Sequence, residues 1–270
     1  VTQVGGIGGE VTVDGHRLET LSDPAPNGRQ PTIVMLHEGL GSVSLWRDFP
    51  SRVAAATQCG VLAYSRYGHG RSDALREPRR VDFMHHEARV VLPGLLEALH
   101  IERPILLGHS DGGSIALIYA AFASAPSQAA RAQAAQPRAL ILEAPHVFVE
   151  DVTVESIAKI RDAYASTDLR TKLGRHHDHI DAMFLEWTKI WLDEKFREWN
   201  IENELPTVRC PVLVIQGTDD EYGTMAQVAA IRRGVKDTET LLLPECGHSP
   251  HRDQPEATLE AIAGFLRERR

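Results

Sequence analysis

The sequence predicts an α/β fold, a mostly parallel sheet flanked by helices. Three observations predict it. Short apolar runs alternate with longer stretches of helical periodicity. The runs are nearly continuous in apolar residues, as strands buried on both faces require. Turn-forming residues flank each run. At 270 residues, with 43% hydrophobic and 24% charged residues, the chain has the size and composition of an ordinary globular protein with a sizeable core.

In chain order, Val11-Thr12-Val13, Asp14-Gly15 and the segment from His16 to Leu21 read as an opening hairpin, with Asp-Gly supplying the two-residue turn. Buried strands follow at Thr32 to Leu36, Val61 to Tyr64, Ile105 to Leu107, Leu140 to Leu142, Val212 to Ile215 and Thr240 to Leu243. Phe83, Ala88, Val91, Leu92, Leu95, Leu96 and Leu99 recur at helical spacing, and Pro93 is expected to kink that helix. Further helices are read at Ile115 to Phe122, Met225 to Ile231 and Ala257 to Leu266, the last opened by Pro255. The Ala-rich stretch from Ala120 to Ala135 reads as a helix end followed by a mobile loop. From Pro145 to Pro206 there is no strand signal, while Ile180, Met183, Phe184, Trp187, Trp191 and Trp199 lie three, four or eight residues apart. Residues 145–206 are therefore expected to form a helical cap inserted after the sixth strand, with 1–144 and 207–270 building the core.

Charge and cysteine content exclude several classes. Lys+Arg 29 against Asp+Glu 37 gives a net charge of −8, the wrong sign for a surface that tracks nucleic-acid phosphates. The longest unbroken apolar run, Ile115 to Ala123, is about half of the roughly 18 residues a bilayer-spanning helix needs, so no membrane partner is expected. Cys59, Cys210 and Cys246 are odd in number and lack C-x-x-C spacing, which suggests neither a disulfide framework nor a zinc site. The amino end has neither a basic nor an apolar leader pattern, and a cytoplasmic location is the plain expectation.

Gly108-His109-Ser110-Asp111-Gly112 is a G-x-S-x-G pattern between a buried strand and a helix. A turn that lifts a serine hydroxyl clear of a sheet edge is so tight that small residues must flank it. Such a nucleophile needs a base, and the base needs an acid to orient it. Downstream, one strand ends in Gln216-Gly217-Thr218-Asp219-Asp220, and the next ends in Pro244-Glu245-Cys246-Gly247-His248. The order Ser, acid, His, each directly after a strand, is that of an α/β-hydrolase triad.

Two further segments make the resemblance specific. His37-Glu38-Gly39-Leu40-Gly41-Ser42 with Trp46 resembles the H-G-x-x-G-S…W loop of α/β-hydrolase-fold proteins, and Tyr67-Gly68-His69-Gly70-Arg71-Ser72 resembles their G-x-G-x-S loop. The resemblance covers essentially the whole chain. It implies Ser110 as nucleophile, His248 as general base and then acid, and Asp220 as orienting acid, with Asp219 as the adjacent alternative. It implies an oxyanion hole from the backbone N–H groups of Gly39 and Asp111, and no cofactor or metal. The activity implied is that of a serine esterase acting on a small carboxylic ester. A carbon–carbon bond hydrolase of the meta-cleavage type shares fold and triad order, although such enzymes typically carry Asn before the nucleophile and Trp after the catalytic His, where this chain has His109 and Ser249. A ligand receptor on the same fold is the alternative from outside enzymology. The oligomeric state is not legible.

Two positions depart from the family pattern. Glu38 stands where glycine is usual, and Asp111 follows the nucleophile, so two carboxylates border a site meant for an anion. Asp111 is expected to stabilise the helix amino end, and Glu38 to cap loop N–H groups or pair with an arginine such as Arg47. His37 is expected to prop the oxyanion loop. With Glu38, His109, Trp187 and Trp191 it is also a candidate for substrate contact. Glu143 reads as a structural acid, His85-His86 as solvated or capping residues, and His176-His177-Asp178-His179 not as a metal cluster, because adjacent residues on a helix point in different directions.

Overall fold

The computed structural model describes residues 6–25, 31–125 and 135–269. Eight strands, β1 (Ile7–Val13), β2 (His16–Asp23), β3 (Thr32–Leu36), β4 (Gly60–Tyr64), β5 (Ile105–His109), β6 (Ala139–Glu143), β7 (Val212–Gly217) and β8 (Thr238–Leu243), form one sheet in the order β1-β2-β4-β3-β5-β6-β7-β8. β1 and β2 pair antiparallel, as do β2 and β4, and every other neighbouring pair is parallel. Asp14 and Gly15 both take positive φ, 51° and 76°, as the two-residue hairpin turn demands.

β4 to β7 are buried along their whole length, which explains their nearly continuous apolar sequences. Alternate residues feed two cores. Val34, Leu36, Leu106 and Leu142 face one, and Ile33, Met35, Leu107 and Ile141 face the other. The strands with the weakest apolar signal lie at the sheet edges. β1 begins at Ile7, earlier than its side chains suggest, because its Gly8-Gly9 stretch is held by register with β2 rather than by burial. β8 likewise begins at Thr238 and leaves Leu242 exposed.

On one face lie α1 (Phe49–Thr57) and α10 (Pro255–Arg267). The other carries α2 (Phe83–His86), α3 (Leu92–Ala98), α4 (Asp111–Ala123) and α8 (Met225–Gly234). The kink expected at Pro93 takes the form of a π-helical stretch, Glu87–Val91, joining α2 to α3. There the Leu92 N–H donates to Glu87 O, five residues back, which widens the helix just before the proline that has no N–H to give. Between β6 and β7 the chain forms α5 (Asp151–Ser166), α6 (Leu169–Leu173) and α7 (Ile180–Trp191), and α9 (Pro250–Asp253) follows β8. The Ala-rich segment expected to be a loop lies, over 126–134, outside the described residues. Among the described residues no helix is long and apolar enough to cross a membrane.

Candidate active site

Ser110 sits between β5 and α4 with φ 53° and ψ −118°, a conformation that non-glycine residues rarely adopt. The turn is tight enough to exclude side chains around it. A Cβ on Gly108 would lie 2.3 Å from Gly112 O, and one on Gly112 would lie 2.0 Å from Leu36 O. The serine is thereby held at the carboxyl edge of the sheet, at the head of a helix whose dipole favours developing negative charge.

His248 reaches it from the loop after β8, with Nε2 2.9 Å from Ser110 Oγ. Its Nδ1 lies 2.8 and 2.9 Å from the two carboxylate oxygens of Asp220, beyond the end of β7. The Asp220 side chain is 2% exposed and also accepts from the Tyr222 N–H at 2.7 Å and the Gln216 side chain at 2.6 Å. Burial works to raise its pKa, but the His248 hydrogen bond and charge, together with the Tyr222 amide, outweigh it and leave the value at about 2. Asp220 is thus ionised at neutral pH. Asp219 points elsewhere, accepting from the Thr218 hydroxyl at 3.2 Å in an exposed position.

The loop after β3 is fixed through its carbonyls. His37 O and Glu38 O accept from the Arg66 guanidinium, Gly39 O accepts from His69 Nε2 at 3.0 Å, and Leu40 O accepts from His177 Nε2 at 2.9 Å. Four successive carbonyls are held from behind, so the backbone amides are left for the other side. Among the described residues neither the Gly39 nor the Asp111 N–H has an acceptor. Gly39 must be glycine here, since a Cβ would fall 2.1 Å from Trp187 Nε1.

His37 is fully buried behind this loop. Its Nδ1 donates to Glu38 O at 2.6 Å and its Nε2 accepts from the Arg66 N–H at 3.1 Å, so it props the loop and does not face the cavity as a substrate contact would. Burial and the Arg66 charge hold it well below the usual histidine pKa, consistent with the neutral tautomer these bonds demand.

A cavity of about 260 Å³ opens beside Ser110. Ile157 and Ile160 of α5, Leu169 and Leu173 of α6, and Trp187 and Trp191 of α7 supply its apolar wall. Glu38 and His109 also border it. Glu38 is 29% exposed, with Oε2 3.6 Å from His109 Nδ1. Its charged neighbour is therefore His109 rather than an arginine such as Arg47, one of the two roles expected from sequence. Asp111 also borders the cavity but is only 1% exposed. Its Oδ2 accepts from Trp187 Nε1 at 3.2 Å and lies 3.9 Å from the Arg66 guanidinium. Burial pushes its carboxyl above the ordinary value against the pull of Arg66.

Glu143 is wholly buried and accepts from both the backbone N–H and the ring of His251, at 3.1 and 2.7 Å. His85 pairs with Glu204 and His86 with Asp14. His177 Nδ1 accepts from the Gly70 N–H at 2.9 Å, and His176 contacts Ser44, so this stretch ties α6 and α7 to the loops after β3 and β4. Among the described residues no cluster of three or more His, Cys, Asp or Glu is arranged to hold a metal.

Sequence reasoning passed over three residues that the fold brings to the site. Arg66 anchors the loop after β3. His146 lines the cavity with its ring 5.7 Å from that of His248, held near pKa 3 by burial and the His248 charge. The Tyr222 ring lies 4.7 Å from that of His248, tilted by 44°. All three follow the carboxyl end of a strand closely, the place where open α/β sheets gather ligand contacts, and that position is the signal that marks them.

A sequence model of the alpha/beta hydrolase family matches residues 33–261. The chain belongs to the alpha/beta hydrolase family. Among its relatives, the 2-hydroxy-6-oxononadienedioate/2-hydroxy-6-oxononatrienedioate hydrolase of Paraburkholderia phymatum is 26% identical over 87% of this chain and 86% of its own length. The serine hydrolase BPHL of Homo sapiens is 28% identical over 71% of this chain and 64% of its own length. Among solved structures, the enol-lactonase from Burkholderia xenovorans LB400 superposes with a TM-score of 0.72 at 21% identity, covering 96% of this chain and 100% of that one. These family relatives are hydrolases, and the structural likeness establishes the shared fold.

Proposed function

We propose that the chain is a serine hydrolase that cleaves a small carboxylic ester through an acyl-enzyme, with residues 145–206 acting as a cap over the site. The observation that carries this reading is the unbroken hydrogen-bonded line from Ser110 Oγ through His248 to an ionised Asp220. Ser110 Oγ attacks the ester carbonyl as its proton passes to His248 Nε2. The Gly39 and Asp111 amides receive the oxyanion, each donor contributing on the order of 3 kcal/mol in the transition state. His248 then returns the proton to the departing alkoxide. Water, deprotonated by the same imidazole, cleaves the acyl-enzyme and restores Ser110. Asp220 keeps Nδ1 protonated so that Nε2 is available as base.

The apolar wall suits an acyl or alcohol group of modest size. The test is a p-nitrophenyl ester series combined with fluorophosphonate labelling. Wild-type protein should show burst kinetics and a covalent adduct at Ser110, and Ser110→Ala should lose both. Full turnover in Ser110→Ala would remove the serine-hydrolase reading, and a folded wild type that neither labels nor turns over would favour a receptor. The relationship to the Paraburkholderia phymatum enzyme supports carbon–carbon bond hydrolysis as a second reading. A direct assay on a 2-hydroxy-6-oxo-dienoate separates the two.

A further inference from the structure

Two residues that border the cavity, one of them the Glu38 that departs from the family pattern, lie against each other. Glu38 comes from the loop after β3 and His109 from the last position of β5, yet Glu38 Oε2 and His109 Nδ1 are 3.6 Å apart at the cavity wall. The other ring nitrogen, His109 Nε2, lies 2.7 Å from the backbone carbonyl of His248. A carbonyl can only accept, so Nε2 carries a hydrogen. His109 Nδ1 is then either a lone pair aimed at a carboxylate, which is repulsive, or a second N–H, which makes the ring an imidazolium. It is buried with no hydrogen-bond partner among the described residues, so nothing else compensates it.

We infer that Glu38 and His109 form a positioning ion pair that ties the oxyanion loop to the backbone of His248, and that the pair acts only while His109 is protonated. The inference rests on the serine-hydrolase reading above. In the charged state His109 donates to His248 O through one nitrogen and faces Glu38 through the other. The loop bearing the Gly39 amide and the loop bearing the base are thereby held in register about Ser110. The same positive charge neutralises the carboxylate that would otherwise oppose a developing oxyanion. Loss of the proton leaves Glu38 uncompensated beside the nucleophile.

The surroundings favour the charged form. Glu38 faces His109 from the loop after β3 and Glu143 from the end of β6, while the rings of His248 and His251 lie 5.2 and 5.0 Å away and Trp46 closes the remaining side. Glu143 is itself bonded to His251, which leaves Glu38 as the free carboxylate. Burial works against the charge, and the Glu38 interaction leads the influences that nevertheless lift the His109 pKa above its ordinary value.

The experiment pairs the pH profile of kcat/KM on a neutral p-nitrophenyl ester with a ¹⁵N NMR titration of the His109 ring, for wild type, Glu38→Gln and His109→Asn. Wild type should lose kcat/KM on the alkaline side as His109 gives up its proton. Glu38→Gln, which keeps shape and removes charge, should move the falling limb and the ring titration together to lower pH by about one unit or more. His109→Asn should lose the falling limb and about tenfold in rate at neutral pH. A residue with a purely structural role would lower the rate at every pH without moving the limb. A ring that titrates identically in wild type and Glu38→Gln, or a falling limb that survives unchanged in His109→Asn, overturns the inference. The NMR titration reads the pair without turnover, so an active Ser110→Ala would remove the serine reading while leaving the pair separately measured. Glu38→Gln carries the test if His109→Asn does not fold.

Discussion

Asp220→Asn is the perturbation that bears most directly on the proposed chemistry. In the folded protein the carboxylate accepts from His248 Nδ1 at 2.8 Å, the Tyr222 N–H at 2.7 Å and the Gln216 amide at 2.6 Å. With the Gly223 N–H at 3.2 Å as well, an asparagine placed there has one oxygen for four donors. Its NH₂, turned toward His248, demands a lone pair on Nδ1 and drives the ring proton to Nε2, where it points at Ser110 and removes the base. Neutralising a triad acid in this way costs on the order of 10⁴ in kcat, equivalent to about 5 kcal/mol of transition-state stabilisation. Asp219→Asn should leave kcat within a few fold, because that side chain is exposed and, among the described residues, accepts only from the Thr218 hydroxyl. The assay is ester turnover with a Tm measurement beside it. The carboxylate also contributes to stability. Its value of about 2, depressed from 3.8, corresponds to roughly 2 kcal/mol that is fully present above pH ~4 and lost as pH falls through the folded value. Asp220→Asn should therefore weaken the acid dependence of Tm in that window. A crippled Asp219→Asn alongside an active Asp220→Asn would refute the reasoning and move the acid by one residue.

Trp187→Ala should enlarge the cavity beside Gly39 and shift the preferred ester chain length upward, while a small fluorophosphonate still labels Ser110; an unchanged substrate profile in a folded variant would assign Trp187 to the core alone. Because the same change strips Asp111 Oδ2 of its indole donor, a stability loss of about 1–3 kcal/mol should accompany it in urea unfolding. Glu143→Gln should cost a similar amount of stability with kcat within several fold, since its carboxylate serves His251 rather than His248. The His251 charge and hydrogen bonds hold Glu143 below its ordinary 4.5 despite burial, so this contribution is present above about pH 4.5 and lost on acidification. Comparing Tm at pH 7 and pH 4 for both proteins checks it.

Fold class, strand order along the chain and the three residues of the hydrogen-bonded line were legible in the sequence because each depends on local chemistry. A strand buried on both faces must be largely apolar, and β4 to β7 are, apart from His109, Glu143 and Gln216 at or near their carboxyl ends. A turn as tight as that at Ser110 must be flanked by glycine, and Gly108 and Gly112 meet backbone atoms where a Cβ would be. The limits of β1 and β8 escaped because edge strands are held by pairing, which leaves little trace in side-chain pattern. Only the tertiary structure decided the electrostatics. Glu38 and His109 are far apart in the chain and meet because β3 and β5 are neighbours in the sheet. For the same reason Arg66, beyond β4, reaches the carbonyls of the loop after β3, its parallel neighbour. Which carboxylate stays partly exposed and which is buried against an indole depends on contacts between segments that no single stretch of sequence contains.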